Sequence, residues 1–379
     1  MKRSNLAVRI GAVIVAGIAP VGAVGVVSAH HSPAVGPRGP VGPDIPVSAV
    51  ERSVFARRIR VQGSTAAAVQ AACRQAITQG VPVVFLPAGQ YRFETEVVVP
   101  GGLTLLGSGS STLCQTTSLS QALFRLQGDR VRFTRLKLQG ASLVWDQTND
   151  TYGIASDYNQ NVHIDHCELL GFNSAAGFSD GATGQVDHCF LHHCLRDGMG
   201  YGVGLDRGSY VLVSDNEFSQ CRHCLASNGF GARPTHWEFL HNHVNSDDLV
   251  QNKQGAVDAH PDMDGSFVVT GNLFENIGNA LDIFNGSGLI SANLFRNQPY
   301  GMFITGTTAG GMPHDIAVTG NSFESVSQPY TIDPAINIWI DGAVVASTWT
   351  SGTPPSPPPP PMPRLQPMGA DGVLTWIWQ

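Results

Sequence analysis

Charged residues are scarce in this sequence. Only 13% of its 379 residues are Asp, Glu, Lys or Arg, and lysine occurs at just three positions, 2, 137 and 253. The formal net charge is −7 and there is no basic tail or stripe, so we expect no general affinity for nucleic acid. So little charge together with 43 glycines is typical of a sheet-rich chain with many tight turns.

Long apolar runs are missing beyond the N-terminal segment. There, Lys2, Arg3 and Arg9 precede an apolar stretch that ends in small residues at Ala29. A basic region, an apolar region and a small-residue cleavage site, in that order, are typical of a secretory signal. We therefore expect residues 1–29 to be removed and the mature protein to be secreted, without membrane association. An uncleaved membrane anchor is the alternative.

Changes in composition predict the domain boundaries. Residues 30–51 are rich in Pro, Gly, Ser and Val without periodicity and are interpreted as a linker. Residues 344–363 form a second linker, with eight prolines from position 354 to 363, which favour an extended spacer. Residues 364–379 form a tail too short for a domain. The remaining residues, 52–343, are predicted to form one elongated, monomeric domain.

A short helix is predicted over residues 65–78. Ser64 is a suitable N-cap, and Gly80 is a suitable end for the helix. The predicted apolar stripe consists of Val69, Ala72, Cys73, Ala76 and Ile77.

A short motif then repeats along the domain, with the pattern apolar-x-x-Asn-x-apolar. The marked position is Asn at 216, 242, 272, 293 and 321, and two earlier copies carry Cys at 167 and 189. The copies are 21 to 30 residues apart, a spacing that is typical of a solenoid. Alternating apolar positions and Gly-rich turns favour stacked strands over helix pairs.

Stacking of these coils predicts two internal columns. One is apolar and consists of Leu169, Leu191, Phe218, Val244, Phe274, Phe295 and Phe323. The other is a ladder of the repeated Asn residues, whose amides would satisfy buried backbone groups. Cys167 and Cys189 lie in that ladder and are interpreted as buried thiols, with a disulfide as the alternative. The pairs Cys73–Cys114 and Cys194–Cys221 are further candidate disulfides.

Two segments connect the sequence to a known superfamily. Residues 83–91, Val-Val-Phe-Leu-Pro-Ala-Gly-Gln-Tyr, follow the predicted helix, and residues 103–109 read Leu-Thr-Leu-Leu-Gly-Ser-Gly. Together they resemble the N-terminal cap and first coil of pectate-lyase-like β-helix proteins, and the likeness covers residues 52–343. The resemblance implies an all-β, right-handed parallel β-helix with a short N-terminal capping helix. It leaves function open, because the superfamily includes lyases, glycoside hydrolases, epimerases, phage tailspikes and non-catalytic proteins.

Polar residues concentrate in the middle coils. Ten of the 13 histidines lie between positions 163 and 260. Alignment of the coils predicts that Arg196 stacks on His223, Cys194 on Cys221, Asp258 on Asp282, and His260 on Asn228. Side chains one coil apart are within contact range, so a single surface patch is expected.

Within that superfamily, the polar patch favours a polysaccharide lyase that cleaves an acidic polysaccharide by β-elimination. Related lyases use Arg or Lys as the base, with Ca²⁺ held by acidic residues. Imidazole titrates near neutral pH and is a further candidate acid or base. The candidate catalytic residues are Arg222, His223, His260, Lys253 and Arg196. Candidate Ca²⁺ ligands are Asp258, Asp262 and Asp282, and candidate substrate contacts are Asn228, Tyr201 and Trp237.

Three other functions remain open. A glycoside hydrolase needs paired carboxylates, and Asp247-Asp248 is the only Asp-Asp pair. A zinc site could use the ligand-type residues His192, His193, Cys194, Cys221, His223 and Cys224. A non-catalytic β-helix that binds glycan or cell wall is the third. Convergence of Arg222, His223, Asp258 and His260 in one groove would favour the enzyme.

Overall fold

A computed structural model describes most of the repeat region. The described residues are 41–45, 48–116, 118–228, 233–246, 255–263, 265–306, 311–332, 338–341, 343–346, 364–365 and 376–377. All of them belong to one compact unit, Pro33–Gln379. Within these ranges no helix has the length and apolar character needed to cross a membrane.

Two helices precede the coils. Helix α1 spans Ala49–Val54 and begins with a capping box between Ser48 and Glu51. Glu51 also accepts hydrogen bonds from Arg132 and Arg135. Ordered structure on the β-helix therefore starts before residue 52, inside the segment predicted to be a linker.

Helix α2 spans Ala66–Gln79 and confirms the predicted capping helix with two corrections. Its N-cap is Thr65 and not Ser64, because the Thr65 hydroxyl accepts the Ala68 N–H at 3.2 Å. Ile77 is 50% exposed and lies outside the buried stripe, which is limited to the preceding turns. Gly80 ends the helix with a φ of 58°, a left-handed conformation that favours glycine.

The strands, numbered along the chain, form three faces that are almost entirely parallel. Face A is the 13-stranded sheet. It contains β1 (Ile59–Arg60), β2 (Val83–Phe85), β5 (Thr104–Leu106), β8 (Arg132–Thr134), β11 (Val162–Asp165), β14 (Thr183–Asp187), β17 (Tyr210–Ser214), β20 (Thr235–Leu240), β23 (Gly265–Thr270), β26 (Ser287–Ser291), β28 (Ile316–Thr319), β30 (Ile338–Ile340) and the antiparallel β31 (Ala343–Ala346).

Faces B and C share the second sheet. Face B contains β3 (Gly89–Arg92), β6 (Thr112–Gln115), β9 (Lys137–Gln139), β12 (Glu168–Leu170), β15 (Phe190–His192), β18 (Glu217–Ser219), β21 (His243–Asn245) and β24 (Leu273–Glu275). Face C contains β4 (Val97–Val99), β7 (Ala122–Leu126), β10 (Tyr152–Asp157), β13 (Ser174–Ser179), β16 (Tyr201–Leu205), β19 (His223–Ser227), β22 (Val257–Ala259) and β25 (Asn279–Ile283). The long strands β27 (Leu294–Ile304) and β29 (Ser322–Ile332) continue both faces.

One strand from each face makes a coil, and about ten coils stack in this way. A separate antiparallel pair joins β32 (Arg364–Leu365) to β33 (Trp376–Ile377). The predicted fold, an all-β parallel β-helix with an N-terminal helix, is confirmed.

The predicted apolar column is confirmed by the strand register. Each of its seven residues, from Leu169 to Phe323, pairs with the next one along the helix axis. At its C-terminal end the rings of Phe274, Phe295 and Phe323 stack with centroids 5.3 and 5.0 Å apart. Burial of this column is one of the apolar contributions that hold each coil against the next.

The asparagine ladder is also confirmed. The backbone N–H of each Asn from 216 to 293 donates to Oδ1 of the next Asn, over 2.8–3.0 Å. Each side-chain Nδ2 donates to a backbone carbonyl of the preceding coil, as Asn272 does to Phe239 at 2.7 Å. Both the backbone and the amide are thereby satisfied in the dry interior.

The seven cysteines are all buried and free. Cys167 and Cys189 occupy the N-terminal end of the ladder, in agreement with their interpretation as buried thiols. The candidate disulfides Cys73–Cys114 and Cys194–Cys221 are not formed. Burial raises the pKa of the Cys221 thiol well above its ordinary value, and its neighbour Cys194 adds to this effect.

Candidate functional site

A groove of about 300 Å³ lies on the outer surface of face C. Its floor is a column of small residues in register, Ala155, Gly177 and Gly204, which continues beyond the groove to Ala226. Small residues leave the space above the sheet open, whereas the alternate positions on these strands, such as Val203 and Leu225, are buried in the core. The same column continues to Arg125 at one end, and to Asp258 and Asp282 at the other.

Two further columns form the walls of the groove. On one side Tyr201 pairs with Ser174 and His223. On the other, Asp206 and Asn228 directly follow strands β16 and β19. Tyr201 and Asn228, both predicted substrate contacts, line this groove. The Asn228 side-chain oxygen is buried and accepts no hydrogen bond from the described residues.

His223, Asp258 and His260 converge beside the groove, in register with its lining residues Tyr201 and Asn228 but not themselves part of the lining. One ligand-type atom from each lies within 4.8 Å of those of the other two. Asp258 Oδ2 is 3.3 Å from His223 Nε2 and 2.9 Å from His260 Nε2. Strand β19 supplies His223, β22 supplies Asp258, and the turn after β22 supplies His260, as the predicted patch requires.

The His223 side chain is completely buried. Its Nδ1 donates to the carbonyl of Gly255. Burial lowers the pKa of His223 to about 4, and the charge of Asp258 opposes this only partly. The ring is therefore neutral at pH 7 with its proton on Nδ1, and without solvent access it is not positioned to contact a polysaccharide.

His260 lies in a different environment, with 25% of its side chain exposed. Burial lowers the pKa of His260, but the hydrogen bond to Asp258 and the charges of Asp258 and Asp262 outweigh that effect and raise it overall. Ala259 pairs with Ser227, so His260 and Asn228 follow at neighbouring positions, as predicted.

Asp282 supports the cluster from the next coil. It pairs in register with Asp258, which confirms the predicted stacking. Its carboxylate accepts the Gly255 N–H at 2.6 Å and the Asn279 amide at 2.5 Å. Burial raises the pKa of Asp282 to about 6. Asp282 thus holds the Gly255 peptide, whose carbonyl in turn holds His223.

A Ca²⁺ site does not assemble from the described residues. Calcium takes six to eight oxygen ligands, whereas the convergent donors here are two imidazole nitrogens and one carboxylate. Of the three candidate ligands only Asp258 belongs to this cluster. The charge of Asp262 raises the pKa of His260, and Asp282 accepts a hydrogen bond from the Gly255 N–H. The donor set does not fit calcium.

The remaining predicted residues are dispersed. Arg222 stays close to the cluster, and its Nη1 donates to the Met199 carbonyl in the groove wall at 2.9 Å. Arg196 instead pairs with Asp150 at 2.8 Å. The predicted stacking of Arg196 on His223 is wrong: Tyr201 pairs with His223 instead, because residues 193–200 form a loop that shifts the alignment.

Trp237 requires a second correction. It is fully buried, its ring stacks on Phe267 with centroids 5.1 Å apart, and its Nε1 lies 3.4 Å from the sulfur of Met263. A core indole is not available to a substrate. Lys253 and the Asp247-Asp248 pair lie outside the described residues. Of the predicted zinc-type set, only His223 belongs to the described His/Asp cluster.

Asp206 is a site residue that the sequence analysis missed. Burial raises its pKa to about 6, and the charges of Asp180 and Asp157 add to this while Arg207 opposes it. Its Oδ1 accepts no hydrogen bond and lies 3.7 Å from Arg207 Nε. Asp206 is the first residue after its strand, β16, as Asn228 and His260 are the first residues after β19 and β22. This shared position in the repeat could have identified Asp206.

Comparison with known proteins gives one family and several similar folds. Residues 126–323 match the model of a family described as "Right handed beta helix region". No curated protein matches the sequence. Similar solved structures include the ORF18 protein of Geobacillus virus E2, at a TM-score of 0.56 and 15% identity, covering 76% of this chain and 62% of that one. The Dettilon tailspike protein is similar at a TM-score of 0.49 and 12% identity, and the match covers 72% of this chain and 64% of that one.

An alginate lyase from Paenibacillus sp. str. FPU-7 gives a TM-score of 0.51 and 15% identity, covering 73% of this chain and 98% of that one. The chain spans less than two thirds of the length of the viral ORF18 and tailspike proteins. At these identities the likeness concerns the fold alone.

Proposed function

The chain belongs to the right-handed β-helix family, and we propose that it is an exported enzyme that cleaves an acidic polysaccharide by β-elimination. The observation that carries the proposal is the groove on face C together with the cluster of His223, Asp258 and His260, which lies in register next to the groove residues Tyr201 and Asn228. A long concave surface with polar groups left unsatisfied at one end suits an extended polar ligand.

Elimination removes the proton next to a uronate carboxylate. It needs positive charge against that carboxylate and a group that accepts the proton. Arg222 supplies a fixed positive charge beside the cluster. Asp206 is our candidate proton acceptor, because a carboxyl group with a pKa near 6 is mostly ionised at pH 7 yet more basic than usual.

Register places these groups at a suitable spacing. Asp206, Asn228 and His260 each follow a strand of face C in successive coils. Coils are ~4.8 Å apart, so Asp206 and His260 flank Asn228 across ~10 Å. A sugar unit lying over Asn228 would meet the proton acceptor on one side and the cluster on the other.

The test is incubation of the purified full chain with alginate, pectate and glycosaminoglycans. We expect one of them to yield an unsaturated uronate, detected by its ultraviolet absorbance, together with new reducing ends. Asp206→Asn is expected to lower the rate by about 10²-fold. Glu217→Gln on face B, away from the groove, is the control and should keep the wild-type rate. Full activity in Asp206→Asn would exclude Asp206 as the acceptor.

Hydrolysis is the second candidate, favoured by one observation. Asp157 and Asp206 both line the groove, and paired carboxylates are what a glycoside hydrolase requires. New reducing ends without ultraviolet absorbance would identify this reaction and contradict elimination. Retention of a polysaccharide without either signal would instead identify a non-catalytic glycan-binding protein.

Filling the groove should abolish polysaccharide binding without unfolding the protein. A Cβ built on Gly177 meets its nearest atoms, in Tyr152 and Ser174, at 3.6 and 3.7 Å, which is ordinary contact. Gly177→Phe is therefore expected to fold normally and to project its ring into the groove. Affinity measured by calorimetry or gel retardation should fall at least ~10-fold at an unchanged melting temperature. The matched control, Glu217→Phe on face B, should bind as the wild type does, and equal binding by both variants would place the ligand elsewhere.

A further inference from the structure

We propose that His223, Asp258 and His260 bind a divalent transition-metal ion of the zinc type through two imidazole nitrogens and one carboxylate. The proposal deepens the proposed function, because such an ion would be the cation that receives the uronate carboxylate. It differs from the calcium site that the superfamily resemblance implies, and it uses none of the cysteines.

The geometry brings three donors to one point. His223 Nε2 and His260 Nε2 both face Asp258 Oδ2, at 3.3 and 2.9 Å. Imidazole nitrogens bind zinc at ~2.0–2.1 Å and carboxylate oxygens at ~2.0–2.2 Å. Donors within 4.8 Å of one another can reach one ion at these bond lengths with small side-chain movements.

Two buried atoms of the cluster lack hydrogen-bond partners. They are His223 Nε2 and Asp258 Oδ1, and both are shielded from solvent. Buried polar atoms are nearly always satisfied in folded proteins, so two such atoms in one cluster point to a ligand.

The orientation of His223 strengthens this argument. Because Nδ1 donates to the Gly255 carbonyl, an acceptor only, Nε2 is the ring atom left with a lone pair. That lone pair faces the carboxylate at 3.3 Å without hydrogen-bond geometry. Two electron-rich atoms held this close in a dry site repel each other, and a cation bound by both removes the repulsion.

The surroundings of His223 match those of a metal-bound histidine. Such residues commonly donate the second ring N–H to a backbone carbonyl or a carboxylate, which fixes the tautomer and the ring plane. Here the Gly255 carbonyl takes that role, and Asp282 holds the Gly255 peptide through its N–H. Asp282 is thus a positioning residue for the site.

The donor types select the ion. Two imidazoles and one carboxylate suit zinc and neighbouring transition metals, whereas calcium and magnesium prefer oxygen alone. Three protein ligands leave a fourth position open, as in catalytic zinc sites. His260 is the partly exposed ligand and lies next to Asn228 in the groove wall, so the open position is expected to face the polysaccharide.

The test measures metal binding without substrate. The full chain is stripped with a chelator and titrated calorimetrically with Zn²⁺ and, separately, with Ca²⁺. We expect one Zn²⁺ per chain and at least ~10²-fold weaker binding of Ca²⁺. Asp258→Asn and His260→Ala should each weaken Zn²⁺ binding at least ~10-fold. Circular dichroism confirms that the variants fold, and the half-buried His260 is the safer substitution.

The control is His314→Ala, which removes an exposed histidine that pairs with Asp315, outside the cluster. It should leave Zn²⁺ binding unchanged. Absence of Zn²⁺ binding by the wild type, or equal affinity in Asp258→Asn and His314→Ala, would overturn the proposal. Zn²⁺ binding without uronate cleavage would refute the lyase and leave the metal site standing. Uronate cleavage by a metal-free chain would support the lyase and refute the claim that the ion receives the uronate carboxylate.

Discussion

Asp165→Asn is expected to destabilise the folded chain by about 3–5 kcal/mol, the cost of breaking a buried ion pair. Asp165 has a side chain only 1% exposed and accepts two hydrogen bonds from Arg132, each 2.7 Å long. Thr134 and His166 donate to the same carboxylate at 2.9 and 2.7 Å. Asparagine preserves the shape but replaces acceptors with an NH₂ group that faces donors, and it leaves the Arg132 guanidinium with the longer 3.3 Å contact to Glu51 as its remaining ion pair among the described residues.

The measurement is the midpoint of urea unfolding, with Asp197→Asn as the control. Asp197 is exposed, and its substitution should change stability by less than ~0.5 kcal/mol. Equal midpoints for both variants would show that the Arg132–Asp165 pair contributes nothing.

The same network predicts a pH dependence. Burial raises the pKa of Asp165, but the charges of His163 and Arg132 and the hydrogen bonds from Arg132 and His166 outweigh burial and hold that pKa well below its ordinary value. Its contribution to stability is therefore present above the unfolded pKa of ~3.9 and lost as pH falls through the lower folded value.

His163 contributes with the opposite sign. Burial lowers its pKa, but the carboxylates of Asp187 and Asp165 outweigh burial and raise it. Its contribution is complete below the unfolded pKa of ~6.5 and lost as pH rises through the higher folded value. We therefore expect the network to stabilise the protein most between about pH 4 and 6.5, and Asp165→Asn to flatten that maximum in urea midpoints measured across pH.

Asn272→Ala is expected to destabilise the β-helix by about 2–6 kcal/mol. The substitution removes the acceptor of the Asn242 backbone N–H, at 2.8 Å, and the donor to the Phe239 carbonyl, at 2.7 Å. The Asn242 N–H and the Phe239 carbonyl, both in the interior, would then lack partners, and each unsatisfied buried group costs about 1–3 kcal/mol. Loss of the amide contact with Asn293 adds to this cost.

Asn321→Ala is the matched control at the end of the ladder. Asn321 makes equivalent bonds to Asn293 and Ile290, but it is only partly buried, so water can replace them. Its effect on the urea midpoint should be roughly half that of Asn272→Ala. Equal losses for the two variants would indicate that the ladder is not energetically distinct from an exposed row of asparagines.

Periodicity made the fold predictable. A marked Asn every 21 to 30 residues with an apolar position two residues later identifies both columns, because stacked coils must repeat what they bury. The exact lengths of the turns between strands could not be predicted from the sequence. The alignment of Arg196 with His223 counted residues from Leu191 across a loop, and sequence spacing alone does not show how many residues such a loop removes from the stack.

Parts of the candidate site were predictable for the same reason. Asp258 and His260 were found because the residues of β22 align with those of β19 and β25 once the insertion before β22 is set aside, and their neighbour His223 followed. Trp237 was misplaced although it alternates with Phe239, a period of two that puts both side chains on the core side of β20. Asp206 carries no local motif, and its raised pKa arises from burial and from carboxylates that are distant in sequence.

The small-residue column on the floor of the groove has a consequence for how such a protein can change over evolutionary time. Gain or loss of a whole coil changes distances in steps of ~4.8 Å and preserves the stacking of its neighbours. A coil duplicated at β14–β16 would lengthen the floor by one residue and leave His223, Asp258 and His260 intact. A coil inserted between β16 and β19 would instead separate Asp206 from His260. The length of polymer accommodated and the reaction carried out can therefore be inherited and altered separately.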